Sequence, residues 1–334
     1  HRRVGVARRG NEGGCRGAGR VPVDGGHGAG AVGPGRGAGS GVGVGRQRHA
    51  NGVVVAENDI LNRSSDAAAA EAAQAEILRI ERKYSRYRDD SVVSRINGLA
   101  GSEVGIEVDD ETAGLLDYAD AAYAQSDGLF DITSGVLRRA WDFRSGCVPK
   151  QAQILQLLQL VGWHRVEWNR PRIRLPLPEM QLDFGGFGKE YAADRAAAIL
   201  RGYGIEHGLV DLSGDLVLVG PHPDGSPWRV GIQHPREIER AMAVVDLEAG
   251  AVAGSGDYER YFEQGGKRYC HILNPLTGWP VSELSAVSVI ASQCLIAGTA
   301  TTIAMLKEKQ GTAWLNGLGL PWIAAHRDGT ISGS

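Results

Sequence analysis

From residue 207 to 291 the chain is cut into short apolar runs: "HGLVDL", "DLVLVG", "WRVGIQ", "MAVVDL", "AVAGSG", "KRYCHIL" and "SAVSVIA", separated by Gly, Pro and Asp. Runs this short, alternating in polarity and closed by turn residues, make half-buried strands joined by tight connections, which is the habit of an antiparallel sheet. Helical patterns lie on both sides of them. "SSDAAAAEAAQAEILRIERKYSRY" opens on Ser and Asp and sets Ile77, Ile80 and Tyr84 on one stripe. Residues 110–126 predict a second helix, with acidic residues in the first turn, where the dipole favours them, and a stop at Asp127-Gly128. "QAQILQLLQLVGW" predicts a third, followed by a hairpin from "HRVEWN" and "RIRLPL". "QCLIAGTATTIAMLKE" predicts the last long helix, before a short helix-strand tail in "TAWLNGLG" and "PWIAAHR". Helices flanking a largely antiparallel sheet specify an α+β fold.

One corner carries chemistry as well as structure. "QLDFGGFGKEYAADRAAAIL", residues 181–200, reads as an apolar strand ending at Asp183, a turn with three glycines, and a helix from about 188 to 201 that opens on Lys189. Amides at a helix start, bared by residues without Cβ, bind anions, and Lys189 adds a point charge. A P-loop is excluded, because GxxxxGK[ST] needs Gly at Asp183 and Ser or Thr at Glu190. Taken alone, the corner reads equally as a tight turn packing helix on sheet.

Three further stretches stand out. "AVAGSGDYERYF" with "KRYCHILNPLTGWP" reads as strand, turn, strand, with His271 inside a β-run and Asn274-Pro275 ending it. A core histidine and a catalytic one fit that position alike. "AGSGD" lacks the GxSxG spacing, so a serine hydrolase has no support. In "CLIAGTATTIAML" small residues from Ala297 to Thr302 allow close approach of a backbone or ligand, and the hydroxyls suit a hard cation; a tightly packed helix needs the same residues. Tyr87, within "SRYRDDSVVSRIN", offers an aromatic face, and "DGLFDITSG" is at least a helix stop and a turn.

Residues 1–51 differ from all this. The first fifty hold 17 of 48 glycines and 9 of 36 basic residues, with no Leu, Ile or aromatic residue, which predicts a disordered segment ahead of a single domain over 52–334. A basic arm, a linker, or GC-rich coding sequence read out of frame would each look like this; under the last, preferred reading any native export signal is missing from the chain. Residues 51–334 keep 27 basic against 37 acidic side chains, which argues against a nucleic-acid partner. Cys15, Cys147, Cys270 and Cys294 are too scattered for CxxC chemistry or zinc. No apolar run reaches the ~18 residues of a membrane span, and no export signal is visible.

In this order "KYSRYRDDSVVSRIN", "DGLFDITSG" with "AWDF", "LDFGGFGKEYAADRA", "VDLSGDL", "SGDYERYF" with "YCHILNPLTGWPV", and "AGTATTIAML" resemble the ApbE family of FAD:protein FMN transferases, over roughly residues 65–332. The resemblance implies a two-lobed α+β fold with an FAD cleft between the lobes, Mg²⁺ on the pyrophosphate, and transfer of FMN to a Thr or Ser hydroxyl of an acceptor protein, such as a redox-complex subunit, with release of AMP. It implies flavin or adenosine contacts for Tyr87 and for Gly128, Leu129 and Phe130, and FAD contacts for Asp183 and Lys189. His271, with Ile272 beside it, falls at the flavin-phosphate end, where His271 is the candidate base. Metal-site positions fall at the Gly186 carbonyl, Thr302 and Gly298. Location by resemblance is periplasmic or anchored to the inner membrane, through an N-terminal anchor this chain does not contain.

Three departures matter. The family commonly has Asp where Gly298 stands, which cannot ligate through a side chain, so metal binding should be weaker or completed by water and FAD phosphates. Asn274 stands where many relatives have Asp, and no Met-Gly-Thr strand occurs in residues 1–60. Two alternatives to the transferase remain open here: an FAD pyrophosphatase giving FMN and AMP, and a non-catalytic flavin-binding protein.

Overall fold

A computed structural model describes residues 64–334 apart from Ile238. The segment expected to be disordered at 1–51 and the position of the Met-Gly-Thr strand lie outside the described residues.

The short runs form the predicted strands. β4 (Gly208–Leu212), β5 (Asp215–Gly220), β8 (Ala251–Gly256), β11 (Leu284–Ala291), β12 (Trp322–His326) and β13 (Ile331–Gly333) make a six-stranded sheet in the order β13-β12-β11-β8-β5-β4. Every neighbouring pair is antiparallel. Period-two alternation sorts the side chains: Val217, Val219, Ala251, Ala253, Val287 and Val289 face the helices, whereas Leu218 and Val252 face a hairpin of β6 (Trp228–Gln233) and β7 (Ala241–Leu247).

On the helical face, α5 (Gly188–Gly202) rests on β5 and α6 (Cys294–Lys307) on β8 and β11, while α1 (Ser64–Tyr84) covers α5 from outside. Alanine makes this layering close: Ala69 and Ala73 of α1 and Ala193, Ala196 and Ala197 of α5 are fully buried. α3 (Asp110–Gln125) completes the layer, its N-terminus capped by Asp109, which accepts from Thr112 N.

A smaller aromatic core sits apart, with Trp141 against Phe262, Tyr269 and Trp279 and against Ile154 of α4 (Gln151–Leu158). Its strands are β9 (Tyr261–Gln264) and β10 (Lys267–Cys270), an antiparallel pair. A small sheet of β1 (Ile106–Glu107), β2 (Glu167–Asn169) and β3 (Arg172–Arg174) contains the expected hairpin. Three expectations need correction. α4 stops at Leu158 instead of running to Trp163, because Gly162 takes φ of +148° and Asp131 and Thr133 claim the next amides. The strand expected to end at Asp183 does not form: residues 181–184 pair with no strand among the described residues, and Leu182 N bonds to Asn97 Oδ1 of a short helix, α2 (Val92–Gly98), capped by Ser91. His271 lies outside the β-run: β10 ends at Cys270, and the chain bends there to make a turn in which Asn274 Oδ1 accepts from Leu276 N and Thr277 N. A carboxylate oxygen would serve that turn equally.

Candidate functional site

The glycine corner is built on aromatic rings. Phe184 and Phe187 are buried with their rings 5.0 Å apart, and Phe187 also meets Phe130 and Tyr118. This platform carries the turn from Asp183 to the start of α5. Asp183 Oδ1 accepts from Gly185 N at 2.9 Å, while Oδ2 pairs with Arg86 at 3.2 Å and Arg138 at 3.7 Å. A Cβ at Gly135 would stand 2.5 Å from the Asp183 Cβ, so glycine there lets the segments meet. Asp183, expected to touch FAD, is thus committed largely to two arginines. The amides of Gly185, Phe187 and Gly188 also bond within the turn, leaving fewer for a ligand than the three glycines suggest.

One turn on, Lys189 Nζ lies 2.6 Å from Asp215 Oδ2 at the start of β5. Burial alone would lower the ammonium's pKa, but Asp215 and Glu190 raise it. Asp215 Oδ1 also accepts from Gly254 N on β8, and the next residue, Ser255, has its hydroxyl 2.8 Å from Thr301 Oγ1 and 3.3 Å from Thr302 Oγ1 on α6. Thr301 donates to the Gly298 carbonyl at 2.8 Å. With that proton committed, Ser255 donates to Thr301 and can accept from Thr302, whose lone pairs stay free. Gly298, named above as a metal position, has no side chain and a carbonyl already in use; Glu190 instead fills the space beside it. Burial first, and Asp215 next, push the Glu190 carboxyl above its ordinary range.

His271 completes the group. Its Nδ1 is buried with no partner, and its backbone N donates to Arg260 O at 3.0 Å. Burial, then the positive charges of Arg138, Arg260 and Lys189, hold its pKa at about 4, so the ring is neutral near pH 7. The charges of the arginine partner of Asp183 and of the ammonium partner of Asp215 both bear on this imidazole. Ile272 follows, half-buried, its carbonyl accepting from Val281 N. Cavities of about 470 and 230 Å³ lie around Leu157 and around Asp257, and Asp183, Lys189, Glu190, His271 and Thr302 line neither.

The profile of the ApbE family matches residues 51–323. This chain belongs to the ApbE family. It is 32% identical to the FAD:protein FMN transferase of Vibrio cholerae over 237 residues, covering 69% of this chain and 70% of that protein. With the Escherichia coli K12 protein of the same name it shares 33% over 221 residues, 63% of each. The ApbE protein of Thermotoga maritima superposes with a TM-score of 0.76 at 31% identity, over 84% of this chain and 92% of that one. The apo flavinyl transferase ApbE of Pseudomonas stutzeri gives 0.72 at 32%, over 80% and 86%.

Other expected contacts divide in this ApbE chain. Tyr87 is 78% exposed, with Arg86 donating to its hydroxyl at 2.9 Å and lying over its ring, beside Asp183. Gly128 (φ +80°) and Leu129 reach the surface in part. Phe130 does not: its ring is 4% exposed and supports Phe187 and Gly186 from beneath, so it cannot stack on a flavin. Asp131 next to it accepts from Thr133 N, Thr133 Oγ1 and Trp163 N, tying this turn to the end of the α4 connection. Asp131→Ala strands these buried donors, and a loss of about 2–4 kcal/mol in unfolding free energy is expected by urea titration, with Asp131→Asn less harmful.

Sequence reasoning passed over Arg86, Arg138, Glu190, Asp194 and Asp215. For two of them a signal existed: Glu190 and Asp194 interrupt the alanine stripe of α5 four residues apart, on one helical face.

Proposed function

We propose that this chain transfers FMN from FAD to a Thr or Ser hydroxyl of an acceptor protein, releasing AMP. The observation that carries this reading is His271, neutral and with Nδ1 unpartnered, among Lys189, Arg138 and Arg260 in a chain that aligns with FAD:protein FMN transferases. Three cations around a neutral imidazole suit an anionic diphosphate and a hydroxyl that must lose its proton.

The chemistry follows from placement. Lys189 and Arg138 draw the diphosphate to the corner, and Tyr87 offers a face for a ring of the dinucleotide. The acceptor O–H gives its proton to the His271 imidazole as its oxygen attacks the FMN-side phosphorus. The bond from that phosphorus to the bridging oxygen breaks, and the bridging oxygen leaves with AMP. Positioning and charge stabilisation supply most of the acceleration in such transfers.

The donors also fit a hard cation. Among the described residues no three His, Cys, Asp or Glu side chains form a metal cluster. Hydroxyl, carbonyl and single carboxylate oxygens are present instead: Thr302 with free lone pairs, the Gly186 carbonyl, and an unpartnered Glu190 oxygen. Thr302 and Gly186 would hold Mg²⁺, which when bound supplies charge neutralisation at the diphosphate.

The test is incubation with FAD and Mg²⁺, with and without a Thr-containing acceptor domain. AMP together with a fluorescent acceptor band is expected. AMP without any acceptor would mark a pyrophosphatase, and FAD binding with no AMP at any Mg²⁺ concentration a flavin-binding protein.

A further inference from the structure

We propose that Glu190 supplies, from α5, the carboxylate of the metal site, in the space that a side chain at position 298 would otherwise fill from α6. The proposal deepens the transferase reading above and rests on it for the diphosphate that the metal would serve.

Helix register places the residue. Asp194 accepts from Cys294 N at 2.8 Å and Leu295 N at 2.9 Å, capping α6 from the side of α5. Glu190 lies one turn before Asp194 on the same face, and Gly298 lies one turn after Cys294. The cap therefore sets Glu190 against Gly298. A Cβ at 298 would stand 2.5 Å from Glu190 Cγ and 2.9 Å from Oε1. Two side chains cannot share that volume, so one carboxylate can enter it, from one helix or from the other.

Two buried carboxylates here meet one ammonium, so the second must either keep a proton or face a cation. Glu190 is 9% exposed and its Oε2 has no hydrogen-bond partner, while Asp215 is 2% exposed. Lys189 answers one of these two carboxylates, through its ion pair with Asp215. A buried carboxylate with an empty oxygen costs several kcal/mol unless it is matched. Thr302 follows Gly298 by four residues of α6, about 6 Å along the axis, and its oxygen keeps free lone pairs. The Glu190 carboxyl beside Gly298 and the Thr302 hydroxyl are thus set about one helical turn apart along α6, with Ser255 against Thr302.

Mn²⁺ in place of Mg²⁺ gives a readout independent of turnover. Titrated into the full chain alone and with saturating FAD, and followed by electron paramagnetic resonance of the free ion, Mn²⁺ should bind at least about tenfold more weakly to Glu190→Gln than to the unaltered protein. The Mn²⁺-dependent rise in Tm should vanish in the same variant. Moving the carboxylate, by Glu190→Gly with Gly298→Asp, should restore binding to within a few-fold. Gly298→Ala keeps every ligand but crowds Glu190, and should also weaken Mn²⁺; it serves if Glu190→Gln fails to fold. Unchanged Mn²⁺ affinity in Glu190→Gln or in Gly298→Ala overturns the proposal, as does a native chain that binds no Mn²⁺ in either state. Mn²⁺ held through Glu190 with no AMP from FAD would retire the transferase and leave this assignment standing. Transfer with a Mn²⁺ affinity indifferent to residue 190 would do the reverse.

Discussion

His271→Asn is expected to lower FMN transfer by about 10²–10⁴-fold while FAD binds as before, since a well-placed base contributes that much. Asn keeps a polar, near-isosteric group in the bend after β10 but cannot take a proton at neutral pH. The pH profile separates this role from a structural one. In the free protein the imidazole pKa is held at about 4, chiefly by burial and then by Arg138, Arg260 and Lys189. The acid limb of kcat/KM, which reports the free enzyme, should therefore fall only as pH approaches 4. Bound FAD brings negative charge that offsets those three cations, so the acid limb of kcat should move up toward neutrality. Stability carries the opposite sign from a paired histidine. With a folded pKa below the unfolded value of about 6.5, the unfolded chain takes up the proton first, so His271 costs stability progressively as pH falls from about 6.5 to about 4. His271→Asn should remove that part of the acid sensitivity. A variant with native transfer rates, or one with both limbs unmoved, would exclude His271 as the base.

Where the fold could be foreseen, one side chain per residue was enough to decide it. β4, β5, β8 and β11 announce themselves by alternation, and α5 by alanines ending in a buried Leu200. α2 could not be seen because its seven residues offer less than two turns of pattern, and what fixes it is the bond from Ser94 N to Ser91 Oγ. α4 read too long because "LVGW" continues an apolar stripe; only the fold shows that Thr133 and Asp131 take the amides of Gly162 and Trp163. The site divides in the same way. Lys189 and His271 could be picked out by residue type within recognisable blocks. Arg138 could not, since its meaning lies in facing both Asp183 and His271, and neither could Glu190, whose meaning lies in a missing side chain on a different helix. Phe130 carries a second role that its loop did not announce: its ring packs in the core, and Ser126 Oγ accepts from Phe130 N at the turn that directs it there.

Phe187→Ala joins these two levels. The ring is fully buried, 5.0 Å from Phe184, 6.0 Å from Tyr118 and 6.2 Å from Phe130, so truncation loses its transfer free energy and leaves a cavity that three aromatic neighbours cannot fill. Unfolding free energy should drop by about 3–5 kcal/mol, with little change in the denaturant slope. Phe187 is also the residue from which α5 starts, with no side chain capping the helix, so its packing adds to the turn's own hydrogen bonds in fixing the direction in which Gly188 and Lys189 are presented. Loss of the ring should let the corner sag, move Lys189 off Asp215, and weaken FAD binding at temperatures where the variant is still fully folded. Leu315→Ala supplies the comparison: that side chain is equally buried, but on α7 (Gly311–Leu318), away from the corner. It should cost a similar 2–5 kcal/mol and leave FAD affinity unchanged. Equal losses of affinity in the two variants would mean that FAD binding follows global stability. No loss in Phe187→Ala would mean that the corner is not where the diphosphate rests, and the positions of Lys189 and Asp183 would then need another explanation.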